Sequence, residues 1–339
     1  MTSFASRVGM GAVVSGVLSM GVLVTDAAAA PLGCGDVVTA RTTLTADIGP
    51  CAHGGLVVGA DKVTLNLNGH RIFGTADNLQ DGVGVQISGR RSVTVENGRI
   101  TDFEAGVSIE DGASRNTVRR IVARDNIGGG QSDFGDGIAV SASSENVIRD
   151  NTLVHNGPFD GIGLFGPSSQ NTVAKNILRE NNVSFAPSRS QDDGIRIEGP
   201  GAKQNVVRRN VVRRSGLDGI AVFSDQRTGN LNSGNEVRDN TVTANGFGFL
   251  EARPGDGIRL FLRANETLVQ ANQVHANAGS GIRVDSTSNR IVRNDARANT
   301  RHADPGSAFD LYDTNPACDD NTWSRNLFLT ASPACTTQR

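Results

Sequence analysis

One dipeptide recurs down this chain at a spacing that few folds can use. Asp-Gly followed by an alternating aliphatic stretch appears at Asp81-Gly82-Val83, Asp136-Gly137-Ile138, Asp160-Gly161-Ile162, Asp193-Gly194-Ile195, Asp218-Gly219-Ile220 and Asp256-Gly257-Ile258, with Ala105-Gly106-Val107 and Ser280-Gly281-Ile282 as variants. From Gly82 to Gly281 there are seven intervals over 199 residues, a mean of about 28. A period in this range is the signature of a stacked repeat, in which each unit buries its apolar face only against its neighbours.

A second period lies inside the first. Asn returns at five-residue steps: Asn146, Asn151, Asn156; Asn171, Asn176, Asn181; Asn235, Asn240, Asn245; Asn289, Asn294, Asn299. Asn205 and Asn210 continue the series with Ser215 in third place, and Asn272 and Asn277 do so with Thr267 in first. Short stretches such as Ile195-Arg196-Ile197-Glu198 and Ile258-Arg259-Leu260-Phe261 alternate in strand fashion between these marks. Three strands per repeat with Gly and Asn corners predict one turn of a parallel β-solenoid, its coils stacked at the inter-strand distance of ~4.8 Å. Asn tolerates left-handed corners, and an Asn repeated at one corner of every coil can form a hydrogen-bonded ladder along the axis. About ten coils are expected. With 41 Gly and 29 Asn against 15 aromatic residues, composition also argues against a helical globule.

The pattern resembles the right-handed parallel β-helix, or pectin-lyase-like, superfamily, and the resemblance covers nearly the whole chain after residue 30. Val63-Thr64-Leu65-Asn66-Leu67-Asn68-Gly69-His70-Arg71-Ile72 looks like the opening coil common in such proteins. The repeats look closest to the generic modules of secreted bacterial proteins, which also occur in mannuronan epimerases and in a copper-site maturation protein of nitrous oxide reductase. The resemblance implies an all-β, single-stranded right-handed solenoid and leaves several activities open.

The ends read differently from the middle. Arg7, the apolar stretch Val8 to Val24 and Ala27-Ala28-Ala29-Ala30 have the layout of a secretory signal over residues 1–30. An uncleaved membrane anchor is the alternative. Residues 31–60 and 301–339 break the repeat and are read as caps flanking coils over 61–300. Cys34 and Cys51 lie in one, Cys318 and Cys335 in the other, each pair 17 positions apart. Local pairing within each cap is the simple choice, and export makes disulfides permissible. The expectation is a secreted monomer with no membrane contact after signal removal. With 33 Lys and Arg against 35 Asp and Glu, the near-neutral balance argues against nucleic acid as the partner.

The strand after each Asp-Gly is where chemistry is expected. Aliphatics at Ile162, Leu164, Ile195, Ile197, Ile220, Val222, Ile258 and Leu260 point inward, so the alternate positions face out. These read Gly163, Phe165; Arg196, Glu198; Ala221, Phe223; Arg259, Phe261; Arg283, Asp285; and Asp310, Tyr312. Phe165, Phe223, Phe261 and Tyr312 could stack on sugar rings, and Arg196, Arg259 and Arg283 could hold carboxylates. A coil rise of ~4.8 Å is close to one sugar unit, so a carbohydrate polymer, acidic for preference, is the expected partner. The rival reading packs these rings under neighbouring loops. Before the first strand the gaps alternate between long and short, Asn181 to Asp193 being 12 and Ser215 to Asp218 being 3, as loops walling one side of a groove would.

Gln191-Asp192-Asp193-Gly194 alone doubles the carboxylate. It is similar to the paired-Asp motif of polygalacturonase-type glycoside hydrolases, which implies general-acid and water-activating roles; that family's Asn-Thr-Asp, Gly-His-Gly and Arg-Ile-Lys motifs are absent here. A lyase or epimerase needs a base for the proton α to a uronate and a charge neutraliser. Lys203 with Arg196, and Asp192 and Asp193 holding Ca²⁺, is the concrete version. Asp192, Asp193, Arg196, Glu198, Lys203 and Asp218 are thus the catalytic candidates, and Phe165, Phe223, Arg259, Phe261, Arg283 and Tyr312 the binding ones. The leading expectation is a polysaccharide lyase, epimerase or hydrolase. A non-catalytic cell-wall or envelope-polymer binding or spacer protein is the alternative, while the absence of Met or His clusters disfavours metal-cluster maturation.

Overall fold

The computed structural model describes residues 32–75, 82–128, 135–182, 193–223, 232–248, 254–304 and 306–338. The expected signal segment lies outside the described residues. Within them every strand pairs in parallel with the strand one coil away. The strands that follow the Asp-Gly corners form one sheet of twelve, from Val37–Val38 through Ile162–Phe165, Ile195–Glu198 and Ile220–Phe223 to Ala331–Ser332. At the parallel spacing this gives a right-handed β-helix roughly 50 Å long. A typical coil adds a second strand, Thr172–Ala174, and a third, Ile177–Arg179. In two early coils the second and third strands fuse into Thr94–Thr101 and Thr117–Arg124. Parallel pairing reaches into both end segments, where disulfides join Cys34 to Cys51 and Cys318 to Cys335, the local pairing expected.

Inward aliphatics from the three strands fill the lumen. Ile162, Leu164, Val173, Leu178, Ile195, Val207 and Val212 are all fully buried in one continuous core. Glycine of the Asp-Gly pair is needed for closeness between coils. A Cβ on Gly194 would lie 2.6 Å from the carbonyl oxygen of Gly219, and one on Gly219 would lie 2.6 Å from that of Gly257.

The Asn rows are ladders. Asn176 donates from its backbone N–H (2.9 Å) and from Nδ2 (3.0 Å) to Oδ1 of Asn210, while Nδ2 also donates to the Ile148 carbonyl. Asn210 repeats the same set with Asn240 and the Val173 carbonyl. Every polar atom of the buried amide is thereby satisfied, as burial requires. The left-handed residue is not the Asn itself, as the corner argument supposed, but the one before it: Glu180, Arg209, Arg214 and Ala276 have φ of 56, 57, 55 and 56°. That residue turns the chain and points outward, leaving the Asn free to point in.

One register differs from the sequence reading. Tyr312 pairs with Arg283, two residues before Asp285, against which the outward pattern had set it. Asp310 therefore lies at the corner, where its Oδ1 accepts from the N–H and Nδ2 of Asn299 and ends that ladder.

Candidate functional site

The outward positions of the first-strand sheet fall into two columns. Ala139, Gly163, Arg196, Ala221, Arg259, Arg283 and Tyr312 stand in register over one another. Ser141, Phe165, Glu198 and Phe223 form the second column, which Phe261 extends, its ring centroid 5.0 Å from that of Phe223 in an edge-on arrangement. The aromatic residues therefore share one side of the molecule.

The first column is more covered than an outward row suggests. Arg196 is 1% exposed. The Phe165 ring folds over Gly163, so closely that a Cβ there would meet it at 2.1 Å. The Phe223 ring lies 4.8 Å from the Arg196 guanidinium carbon, within cation–π range. Arg196 Nη1 donates to Asp193 Oδ2 at 2.8 Å, and Nε donates to Glu198 Oε2 at 2.7 Å. Glu198 keeps 19% of its side chain exposed, whereas Asp193 has none. Arginine and the acid two residues on share a face because strand side chains alternate with period two.

The pattern recurs higher up with a twist. Arg283 Nε donates to Asp285 Oδ1 at 2.9 Å, but Arg259 has Phe261 at the second position and reaches 26 residues on, donating twice to Asp285 Oδ2 at 3.0 and 2.9 Å. Two guanidiniums thus share one carboxylate, with Asp256 4.0 Å from Arg259. Arg259 lies 3.9 Å from the Phe261 ring and Arg283 5.3 Å from that of Tyr312. These arginines are engaged within the protein, where the sequence reading had them open to a ligand. Asp285 is the residue that reading left out of its site. Its signal was the Arg-aliphatic-acid spacing shared with Arg196 and Glu198.

The Asp column has a structural task. Asp136 Oδ1 accepts the N–H of Asp160 (3.0 Å), Asp160 that of Asp193 (2.8 Å), Asp193 that of Asp218 (2.8 Å) and Asp218 that of Asp256 (2.6 Å). This is an acidic counterpart of the Asn ladder, and Asp136, Asp160, Asp193 and Asp218 are fully buried. Burial pushes the Asp136 carboxyl up to about 8. Asp160 is raised well above the ordinary range by burial and then by the neighbouring Asp193 charge. Burial works against the charge of Arg196, but Asp193, Asp160 and Glu198 more than offset it and raise its pKa. The column is therefore no file of like charges. Burial disfavours the charged form of Asp136 and Asp160, and beyond them Asp193 meets the Arg196 cation.

Asp192 lies outside the described residues, as do most of the longer loop segments before Asp136, Asp193 and Asp256. Asp193 does not suit Ca²⁺: Oδ1 is taken by the Asp218 N–H and Oδ2 by Arg196. Among the described residues no group of three or more His, Cys, Asp or Glu is arranged to hold a metal. Lys203 is exposed at the corner beyond Glu198. His155, at a corner, bonds Asp125 at 2.7 Å, and His275, at the end of its strand, lies 3.2 Å from Asp295. No helix among the described residues is long and apolar enough to cross a membrane.

A family model described as "Right handed beta helix region" matches residues 54–230 and 188–332. No curated protein matches the sequence. Among solved structures, a double mutant of the periplasmic alginate epimerase AlgG is similar with a TM-score of 0.58 at 14% identity, covering 87% of this chain and 70% of that one. An alginate lyase from Paenibacillus sp. str. FPU-7 is similar with a TM-score of 0.54 at 19% identity, covering 71% and 82%. DFA-IIIase from Arthrobacter chlorophenolicus A6, without its lid, gives 0.51 at 13%, covering 88% and 75%. At these identities the likeness is one of fold.

Proposed function

The chain belongs to the right handed β-helix family, and from that membership and the site's geometry we propose that it is an exported protein whose first-strand face binds and acts on an acidic polysaccharide. The observation that carries the reading is the single column of Phe165, Glu198, Phe223 and Phe261, flanked by arginines, repeating at about the length of a sugar unit. A polymer laid along the axis meets rings and guanidiniums in repeating order. Solved structures named as an alginate epimerase and an alginate lyase share the fold, which supports a uronan as the first substrate to try. The two disulfides support export.

For chemistry on that face, Glu198 and Lys203 are the catalytic candidates among the described residues that solvent reaches, so acid and base work falls to them. Arg196 acts as a positioning residue, its 2.7 Å bond fixing the Glu198 carboxylate. Asp193 and Asp218 support the strand from below the surface. Arg259 and Arg283, which share Asp285, keep more of their side chains at the surface than Arg196 does and suit the carboxylate of a uronate better.

A second reading has its own observation. Asp193, Arg196 and Asp218 are buried and engaged in the fold's own bonds, as a non-catalytic polymer-binding rod would have them. One experiment separates the two. The mature protein is incubated with pectate, alginate and other uronans, with and without Ca²⁺, and unsaturated ends, reducing ends and epimer content are followed beside polymer binding. Turnover that Glu198→Gln abolishes at unchanged melting temperature supports the enzyme. Binding without turnover across the panel supports the second reading, and neither binding nor turnover defeats both.

A further inference from the structure

A cluster of cations outside the first-strand face lies on another sheet. In two adjacent coils the third strand and the residues around its corners carry Lys175, Arg179, Arg208, Arg209, Arg213 and Arg214, while the whole chain has a net charge of −2. Arg213 pairs in register with Arg179. The N–H of Lys175 bonds the Arg208 carbonyl and that of Arg209 bonds the Arg238 carbonyl, which places Lys175 and Arg209 one above the other. Like cations thus recur at the coil rise of ~4.8 Å.

Among the described residues all of these side chains but Arg214 reach the surface without an ion-pair partner. Lys175, Arg209, Arg213 and Arg214 are exposed, and Arg179 and Arg208 half-buried. Among the described residues the patch makes one ion pair, Arg214 to Glu180 at 2.6 Å. The acids at its two ends are occupied: Asp150 by Arg149, and Glu236 and Asp239 by Arg238. On the first-strand face, by contrast, Arg196, Arg259 and Arg283 are paired within the protein. Five unpaired cations held together are self-repelling, and an anionic partner relieves that cost.

We propose that this third-strand face is a second binding site, for a linear carboxylated polysaccharide, distinct from the first-strand face. The axial step between like cations matches one carboxylate per sugar, and guanidiniums take carboxylates in bidentate fashion. A bilayer suits the patch less well. Its exposed aliphatic, Ile177, stands alone, and a membrane-seeking surface buries a broad apolar face. The site would hold the rod on an anionic polymer while the first-strand face stays available.

The test removes cations with residues the fold already tolerates in that setting. Gln170 and Gln204 take the left-handed conformation before the first ladder Asn of their coils, at φ of 59 and 57°, as Arg209 and Arg214 do at the next two corners, and Thr243 pairs in register with Arg213. Arg209→Gln, Arg213→Thr and Arg214→Gln together should therefore fold, which melting confirms. Binding to polygalacturonate, to neutral dextran and to vesicles of equal parts phosphatidylglycerol and phosphatidylcholine is measured against salt. The proteins are the wild type, this triple variant, and a Phe223→Ala, Phe261→Ala variant of the other face with and without the triple change. The aromatic variant should still bind polygalacturonate, and adding the triple change should weaken that binding about tenfold at low salt and flatten its salt dependence. Dextran should not bind this face. Affinity that stays within about twofold, or binding of vesicles and not of polymer, overturns the proposal. Loss of all polygalacturonate binding in the aromatic variant overturns it too, and leaves the first-strand reading standing.

Discussion

Arg196 and Asp193 form a fully covered ion pair, Nη1 to Oδ2 at 2.8 Å, on the side of a β-helix that alternation alone would leave in water. A buried pair adds little over well-packed apolar residues, but breaking it leaves an uncompensated charge. Arg196→Met should therefore cost stability, by about 3–5 kcal/mol, read from the denaturant midpoint. Arg196→Lys keeps the charge but cannot fork to both Asp193 and Glu198, and it should fall between. A purely catalytic role for Arg196 would instead remove turnover and leave the midpoint in place.

Burial of Asp136 links stability to pH. Its carboxyl is held neutral, with a pKa raised from 3.8 to about 8. Between those values the folded chain binds more protons here than the unfolded one does. The contribution is complete below the unfolded pKa and is lost as pH rises through the folded one. The melting temperature should fall from about pH 4 to about pH 8, with Asp160 adding to the slope in the same direction. Asp136→Asn keeps the Oδ1 that accepts the Asp160 N–H and cannot ionise. It should raise the melting temperature at pH 8 and flatten the profile. A profile identical to wild type would show that Asp136 titrates normally.

Much of this fold is legible because a solenoid turns sequence period directly into columns. Asn176 and Asn210 are 34 residues apart, yet the shared pattern around each announces that they stack. The same logic put Phe165, Phe223 and Phe261 on one side. What the period does not carry is the side-chain partner. Arg259 could have used its own coil, and instead it crosses to Asp285 because Phe261 fills the place where Arg196 has Glu198. The Asp before each Gly reads as turn chemistry in one dimension. Only the close approach of coils, which Gly194 and Gly219 permit, shows that it accepts the next coil's N–H. Left-handed corners were misplaced by one residue for a related reason: Asn favours that conformation in isolation, but the ladder claims its side chain first.

The ladder makes a sharp contrast between adjacent positions. Asn210→Ala removes the acceptor for two donors of Asn176 and the donor to the Val173 carbonyl, all buried. Each orphaned group costs about 1–3 kcal/mol, so the midpoint should drop by several times the effect of an ordinary surface change. Arg209→Gln, one residue earlier, should leave it within about 0.5 kcal/mol. Equal effects at the two positions would mean that the corner, and not the amide file, holds the coils together.

Sugar recognition should reside in the rings more than in the arginines beneath them. Phe165, Phe223 and Phe261 are half-buried, so truncation exposes little core. Phe223→Ala should weaken polymer binding by about 0.5–1.5 kcal/mol beyond the area lost, and Phe261→Ala, whose ring touches it, should be less than additive with it. Arg283→Gln tests the carboxylate half of the idea. Asp285 would then serve Arg259 alone, and the more exposed of the two guanidiniums would be gone. Affinity for a uronan should fall while affinity for its reduced, neutral counterpart holds, measured by titration calorimetry on oligosaccharides of matched length. A parallel fall for both polymers would assign Arg283 to holding Tyr312 in place, 5.3 Å away, and the acidic preference would have to come from elsewhere on the face.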